Sequence, residues 1–406
     1  MSYLDYLKND IKRLEKRIKN IEDNPDPKQL KCNKLLYQVR RDSLKEQIRA
    51  VEEKKVVLCL GMFGDIVASM GYFPFGIINH GWEVSPQIVS EYLGLIRRAD
   101  YPDTACDAYQ MAMGMMLHGD IPPLQIAMTS GSCDVAVFAD RAVAHSRNIP
   151  YYYIDVRPGM SPPQSMMEQM KKGIEFAESH LPGAKFDPKK LEARREKIKI
   201  GRSYLWEIGQ MLKHMPAPLH GRDAFRIYNP GLANEPGGLE YLRAFRDEIQ
   251  ERIDKKIFPV PDEKLRIMWV VSAPIYIDIF KILERHKASM PLYVQATTGG
   301  MWGLGPKQYH EEGSPWGGPA SKWVSQLVQM AKEVKIDGVV YYQNTGCIIN
   351  RSCSKMVVDG IEREVGIPTL LLEGTMLNPE RFDMRRDEES LEEFLALCLS
   401  RKEARS

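Results

Sequence analysis

At 406 residues the chain is long enough for two or three domains, and its apolar and charged fractions, 44% and 27%, are those of an ordinary globular protein. A net charge of +2 leaves no footprint for nucleic acid, and no apolar run approaches the ~20 residues of a membrane span. The seven cysteines, an odd number without clustered spacing, exclude a disulfide framework, and the charged opening MSYLDYLKNDIKRLEK is no secretory signal, so a cytoplasmic location is expected.

Residues 1–55 are predicted to form a helical N-terminal arm. Leu4, Leu7, Ile11, Leu14 and Ile18 recur at helical spacing, NPDPK (Asn24–Lys28) breaks the run, and a second helix reaches about Val51. The arm is expected to dock on the body or on a partner. A first α/β lobe spans 56–160. VVLCL (Val56–Leu60) reads as a strand buried on both faces, FGDIVASMG as helix, FGIINH (Phe75–His80) as a second strand and PQIVSEYLGLIRRA as helix. DTACDAYQMAMGMMLHG (Asp103–Gly119) is predicted helical, with Asp103 or Thr104 as its cap. Strand LQIAMT, helix CDVAVFADRAVAHSRN and strand PYYYIDV complete the lobe.

Residues 161–263 read as a mostly helical connecting region, clearest in PPQSMMEQMKKGIEFAESHL and PKKLEARREKIKIGRSYLWEIGQML. A second α/β lobe spans 264–385. Its strands are RIMWVVSA, MPLYVQAT, IDGVVYYQN and IPTLLLEG, with helices between them and a long Gly-rich loop at Thr298–Pro319. A C-terminal helix occupies 386–406. The fold class that follows is α/β: two doubly wound parallel-sheet lobes, Rossmann- or flavodoxin-like, with a helical N-terminal arm and a helical insert. The order strand, loop, cysteine, helix occurs once in each lobe.

Cys106, Cys133 and Cys347 each open a predicted helix, and the last two follow directly on a predicted strand. Ligands of an open parallel sheet bind at the carboxyl ends of its strands. Thiolates there, beside the positive ends of helix dipoles, suit an anionic iron–sulfur cluster. Three ligands leave one iron open to a substrate or a solvent ligand. The ordinary alternative is three core residues, because free cysteine is among the most buried side chains. The spacing matches no local pattern such as CxxC, so a cluster would have to be assembled by the fold. Met111, Met113, Met115, Met116 and Met128 stand near two of these cysteines, as core filler or as a softly lined pocket.

The segments YPDTACDAY, TSGSCDVAVFADRA with NIPYYYIDV, and GVVYYQNTGCIINRSCSKMVVDGIEREVGIPTLLLEGTMLNPERFD resemble the 2-hydroxyacyl-CoA dehydratase / benzoyl-CoA reductase family. The resemblance runs from roughly Lys55 to the C-terminus. It implies a [4Fe–4S] cluster on Cys106, Cys133 and Cys347. Cys353 competes for the third role, but it stands six residues too late relative to Gly366-Ile367-Pro368 and reads as core or as support for the ligands. Cys59 and Cys398 read as structural, and Cys32 has no ligand company. The resemblance also implies an acyl-CoA substrate, a homologous second cluster-bearing subunit completing a heterodimer, and a separate iron–sulfur activator that hydrolyses ATP and delivers a low-potential electron. The chain contains no GxxxxGK[ST] phosphate loop, so ATP is expected to act only through that activator.

Two branches of the family differ in chemistry. In the dehydratases the electron makes a ketyl radical that expels hydroxide; in the reductases it begins a Birch-like dearomatisation. The dehydratase pattern has a serine before the first lobe's opening helix and a glutamate after its second strand, where this chain aligns Gly61 and Asn79. The main expectation is therefore the reductase subunit acting on benzoyl-CoA or a related aromatic acyl-CoA. An (R)-2-hydroxyacyl-CoA dehydratase subunit is the alternative, and a double-cubane-cluster reductase or a cluster-free assembly subunit ranks below it. For the reductase, His80 and Glu83 are candidate general acids and Trp82 a candidate stacking surface, against a turn with a surface histidine and a half-buried tryptophan. Trp302, Tyr309 and His310 are candidates for the acyl pocket, against a packed surface loop. Arg157, Lys307, Arg351 and Lys355 are candidates for the CoA phosphates, against ordinary solvated charges.

Overall fold

The structure is a computed structural model that describes residues 3–26, 29–60, 63–81, 84, 86–131, 133–155, 162–219, 221–224, 230–271, 273–274, 277–294, 320–381 and 383–405. The chain divides into two compact units, Met1–Lys19 with Tyr37–Lys197, and Asn20–Leu36 with Ile198–Ser406.

The first unit is built on four short parallel strands: β1 (Val56–Leu60), β2 (Phe73–Phe75), β3 (Ala127–Ser130) and β4 (Tyr151–Ile154), in the order β2-β1-β3-β4. Such an order reverses direction between its first and third strands, which makes the crevice beyond β1 and β3 the topological switch point. Val57, Cys59, Ile126, Met128 and Ile154 bury one face of this sheet against Phe63, Ile66, Val67 and Leu181. The arm docks rather than projects. From α1 (Tyr3–Asp23) the Tyr3 ring meets Phe75 edge-on at 6.0 Å, and Gln47 of α2 (Asn33–Glu52) donates to the Tyr3 hydroxyl at 2.5 Å. The helices between strands are α3 (Gly64–Ser69), α4 (Ile77–Gly81), α5 (Pro86–Arg98), α6 (Asp107–His118) and α7 (Asp134–Ser146), and α8 (Pro163–His180) follows β4.

Two expectations are corrected here. The apolar run Phe75–His80 is not a strand: β2 ends at Phe75 and α4 takes Ile77–Gly81. A short apolar run does not distinguish a buried strand from a buried helix turn. The helix predicted from Asp103 starts at Asp107, and its N-cap is Cys106 instead of Asp103 or Thr104.

The second unit repeats the arrangement. Strands β5 (Leu265–Val270), β6 (Ala288–Val294), β7 (Gly338–Asn344) and β8 (Thr369–Gly374) are all parallel, in the order β6-β5-β7-β8. Around them lie α9 (Pro188–Met211), which begins in the first unit, then α10 (Gly221–Ala224), α11 (Gly238–Asp254), α12 (Ile279–Arg285), α13 (Ala320–Glu333), α14 (Ile348–Glu364) and α15 (Met384–Glu403). Every residue of β5 and β6 is buried, as parallel strands covered on both faces require. That burial includes the Arg266 guanidinium. It donates to Glu263 at 2.8 Å and to the carbonyls of Val334, His214 and Leu212 at 2.8, 3.0 and 2.6 Å, so the buried charge is paired and its hydrogens are placed. In the arm segment belonging to this unit, the Glu248 carboxylate accepts from the backbone N–H groups of Lys31 and Cys32 at 2.7 and 2.8 Å.

Candidate functional site

Each of the three singled-out cysteines is a helix N-cap. Cys106 leads α6 (φ −63, ψ 150), Cys133 leads α7 (φ −150, ψ 120) and Cys347 leads α14 (φ −98, ψ 101). The extended backbone is what a cap position requires, yet none of the three side chains caps its helix. Serine, threonine, aspartate or asparagine is the usual occupant, because its oxygen satisfies an N–H of the first turn. Three cysteines in that position forgo local stability and leave the positive helix ends facing their thiols. None is in a disulfide.

Two of these thiols occupy matching places in the two sheets. Cys133 follows β3 and Cys347 follows β7, each the strand beside its sheet's first. Ser130 pairs with Ile154, the last residue of β4, and Asn344 pairs with Gly374, the last residue of β8. Both Ser130 and Asn344 stand three residues before their cysteine. One residue on, the Gly131 N–H donates to the Ile154 carbonyl at 3.2 Å and the Thr345 N–H to the Gly374 carbonyl at 2.9 Å. The correspondence is thus residue for residue.

It extends to the side chains that seat the two helices. Thr129, four residues before Cys133, donates its hydroxyl to Asp140 at 2.6 Å, seven residues after it. Gln343, four before Cys347, donates to the Ser354 hydroxyl at 3.4 Å, seven after it. The Cys347 turn is further braced. Asn344 Oδ1 accepts from the Gly346 N–H, Thr345 donates its hydroxyl to the Gly374 carbonyl at 2.7 Å, and Arg351 donates to the Thr345 carbonyl at 3.2 Å. At Cys106 the buried Gln110 folds back one turn and donates to the Ala105 carbonyl at 2.6 Å, fixing the peptide ahead of the thiol.

Sequence reasoning missed Thr129, Asp140, Gln343, Ser354 and Gln110. The signal was available for the first four. Superposing TSGSC on QNTGC brings a polar residue to the fourth position before each cysteine and another to the seventh after it.

The other cysteines behave as core. Burial pushes the Cys59 and Cys32 thiols well up, with Glu248 adding to the effect at Cys32, and raises Cys398 to about 12. The half-buried Cys353 is also raised by burial. Met111, Met113, Met115, Met116 and Met128 are buried filler. Among the other candidate site residues, His80 is described and lies on α4. Its Nδ1 donates to the Gly76 carbonyl at 3.0 Å, which leaves Nε2 to accept from Gln47 at 3.5 Å, and its ring sits 4.4 Å from that of Phe75. Both ring nitrogens thus have packing partners. Arg351 is exposed and pairs with Glu373 at 3.4 Å, while exposed Lys355 pairs with Asp359. Trp82, Glu83, Arg157, Trp302, Lys307, Tyr309, His310 and the loop 298–319 lie outside the described residues. Cys106 and Cys133 belong to the first unit and Cys347 to the second. Among the described residues, no three His, Cys, Asp or Glu side chains converge on a metal position.

Comparison with known proteins adds a family to this geometry. The family model described as 2-hydroxyglutaryl-CoA dehydratase, D-component, matches residues 59–395. The chain belongs to that family. All three N-cap cysteines of this dehydratase-family chain fall inside the match, and the N-terminal arm falls outside it. A relative, the (R)-phenyllactyl-CoA dehydratase beta subunit of Clostridium sporogenes, is 22% identical over 347 residues, covering 80% of this chain and 87% of its own length.

These matches favour the dehydratase branch over the reductase branch that the sequence was expected to join. The reductase preference rested on Gly61 and Asn79, of which Gly61 lies outside the described residues. The second strand ends at Phe75, and Asn79 lies four residues beyond it, inside α4. No helix among the described residues is long and apolar enough to cross a membrane.

Proposed function

We propose that this chain is a subunit of an (R)-2-hydroxyacyl-CoA dehydratase and that Cys106, Cys133 and Cys347 hold its [4Fe–4S] cluster. The observation that carries the reading is the matched placement of Cys133 and Cys347 at the switch points of two parallel sheets, with non-capping thiols at both helix ends. The donor set suits the group: three thiols, each at the positive end of a helix, where an anionic centre is favoured. A bound cluster supplies single low-potential electrons to the thioester substrate. The chain's contribution is to hold the three thiolates, to place helix N–H groups beside them, and to fix the turns that carry them. By likeness to the phenyllactyl-CoA enzyme's beta subunit, it works beside a second subunit. With no phosphate loop of its own, it receives its electron from a separate ATP-hydrolysing activator.

The test is anaerobic purification with iron and sulfide analysis and EPR after reduction, on the native chain and on Cys347→Ala. About four irons per chain, lost in the variant, support the cluster. The chain is then combined with its partner and activator and offered an (R)-2-hydroxyacyl-CoA and benzoyl-CoA side by side. Enoyl-CoA formation from the first supports the dehydratase. An iron-free chain unchanged by Cys347→Ala, or turnover of benzoyl-CoA alone, overturns the reading.

A further inference from the structure

The fully buried arginines described in the second unit are paired. Arg266 takes Glu263, and Arg252 is held by Glu248 at 3.6 Å and by the Gln29 carbonyl. The more open Arg246 of α11 takes Glu207 of α9 and lies 4.9 Å over the ring of Tyr204. Arg202 of α9 departs from this pattern. It is half-buried, and among the described residues it has no hydrogen bond, ion pair or ring contact. Burial lowers its pKa from the ordinary arginine value, and no neighbouring carboxylate offsets that. An arginine stays charged all the same, so a cation is held here against its desolvation cost without a counter-charge.

One turn further along the same face of α9 stands Trp206. Its indole Nε1 is buried and has no acceptor, and an indole nitrogen can only donate. Lys199, three residues before Arg202, brings a second cation to that face. All three belong to the second unit. By the 3.6-residue repeat, Tyr204 and Glu207 lie on the far side of the helix, where Arg246 engages them. Two donors a turn apart without acceptors, one of them charged, suit an anion that offers several oxygens.

We propose that Arg202 and Trp206 form a phosphate-binding site on α9, with Lys199 adding charge to it. A guanidinium presents a planar fork that takes two oxygens of one phosphate, and the Trp206 N–H is left for a third. The guanidinium keeps contact with solvent and the indole N–H does not, so the arginine is the outer contact and the tryptophan the inner one. An acyl-CoA brings suitable groups, a diphosphate and a ribose phosphate; free phosphate brings the same chemistry. That the substrate is the source rests on the dehydratase reading, whereas the site does not. Arg351 and Lys355, the described candidates for the coenzyme's phosphates, are each taken by a carboxylate.

The experiment uses the full chain, free of iron and in chloride buffer. It reads urea midpoints with and without millimolar inorganic phosphate, and equilibrium dialysis with inorganic phosphate and with coenzyme A. Phosphate should raise the native midpoint, because a ligand of the folded state stabilises it. Arg202→Met should have a native or higher midpoint without phosphate, since it removes a cation that has no partner, and phosphate should not raise it. Arg202→Lys keeps the charge without the fork and should weaken phosphate binding about tenfold; Trp206→Phe keeps a ring without the donor and should weaken it about fivefold. Lys355→Gln should bind as the native chain does. Coenzyme A tells the sources apart. Its affinity falling about tenfold in Arg202→Lys, with pantetheine (which has no phosphate) indifferent, supports the substrate as the source. Coenzyme A unmoved by Arg202→Lys while phosphate binding falls supports the site with free phosphate as its ligand. A native midpoint that phosphate does not move, an equal rise in Arg202→Met, or an Arg202→Met chain less stable than the native one without phosphate overturns the proposal. Every reading is made without iron, so the separate iron analysis decides the cluster on its own.

Discussion

A cysteine at a helix N-cap is a poor choice for stability, and three in one chain make the residue scale informative. Each leaves first-turn N–H groups without the oxygen that serine would offer. Cys106→Ser, Cys133→Ser and Cys347→Ser should therefore each stabilise the iron-free chain, by about 0.5–1 kcal/mol, while weakening iron binding. Cys59→Ser and Cys398→Ser put a hydroxyl into fully packed surroundings and should cost about 1–3 kcal/mol. Urea unfolding of the five variants checks this, and destabilisation by all five alike would remove the case for the caps. Asp140 gives a second test. Its folded value of about 7 lies above the ordinary 3.8, so between those values the folded chain keeps a proton that the unfolded chain releases. Stability should fall as pH rises through that window, by on the order of 4 kcal/mol in all, with nothing further lost above it. Asp140→Asn should gain on the native chain between pH 5 and pH 8 in urea midpoint, and midpoints that stay parallel would show that the buried carboxyl does not titrate there.

At the scale of elements, the central strands of both sheets were legible because parallel strands buried on both faces carry apolar runs, as in VVLCL and IMWV. The same property misled at Phe75–His80, where Ile77 and Ile78 are buried or half-buried by a helix turn instead of a strand. The start of α6 was misplaced because Asp103 and Thr104 are better caps than the cysteine that holds the position. Cys133 and Cys347 could be read from their order after strands, and Cys106 from its place ahead of a predicted helix. The contacts that seat two of their helices needed one further step, since Thr129 with Asp140 and Gln343 with Ser354 become a pattern only when the two segments are superposed on their cysteines. The packing of α6, which carries Cys106, has its own weak point. A Cβ at Gly114 would lie 2.3 Å from the Tyr92 Cβ on α5 and 3.1 Å from its Cα, so neither helix can yield by a rotamer change alone. Gly114→Ala should destabilise the chain by about 1–3 kcal/mol and lower its iron content, measured by urea unfolding and by iron analysis. A variant with native stability would mean that α5 and α6 separate without cost.

The whole molecule carries the family and the fold class in its sequence, and the branch in its chemistry. The family match spans 59–395, and the phenyllactyl-CoA dehydratase relative covers four-fifths of the chain at 22% identity. Likeness at that distance supports a shared reaction class more firmly than a shared acyl group. The two branches differ in a quantity that needs no knowledge of the acyl group. Removing water from a 2-hydroxyacyl-CoA leaves the carbon skeleton's total oxidation state unchanged, so an electron lent to the substrate returns when the product forms. Reducing an aromatic ring retains the electrons in the product. With partner, activator, ATP and a limiting chemical reductant, this chain should form enoyl-CoA far in excess of the reductant consumed. The ratio of product to oxidised reductant, followed by chromatography and absorbance in one sealed reaction, reads the branch directly. A ratio held at the reductant's own stoichiometry would return the chain to the reductases, whatever acyl-CoA it accepts.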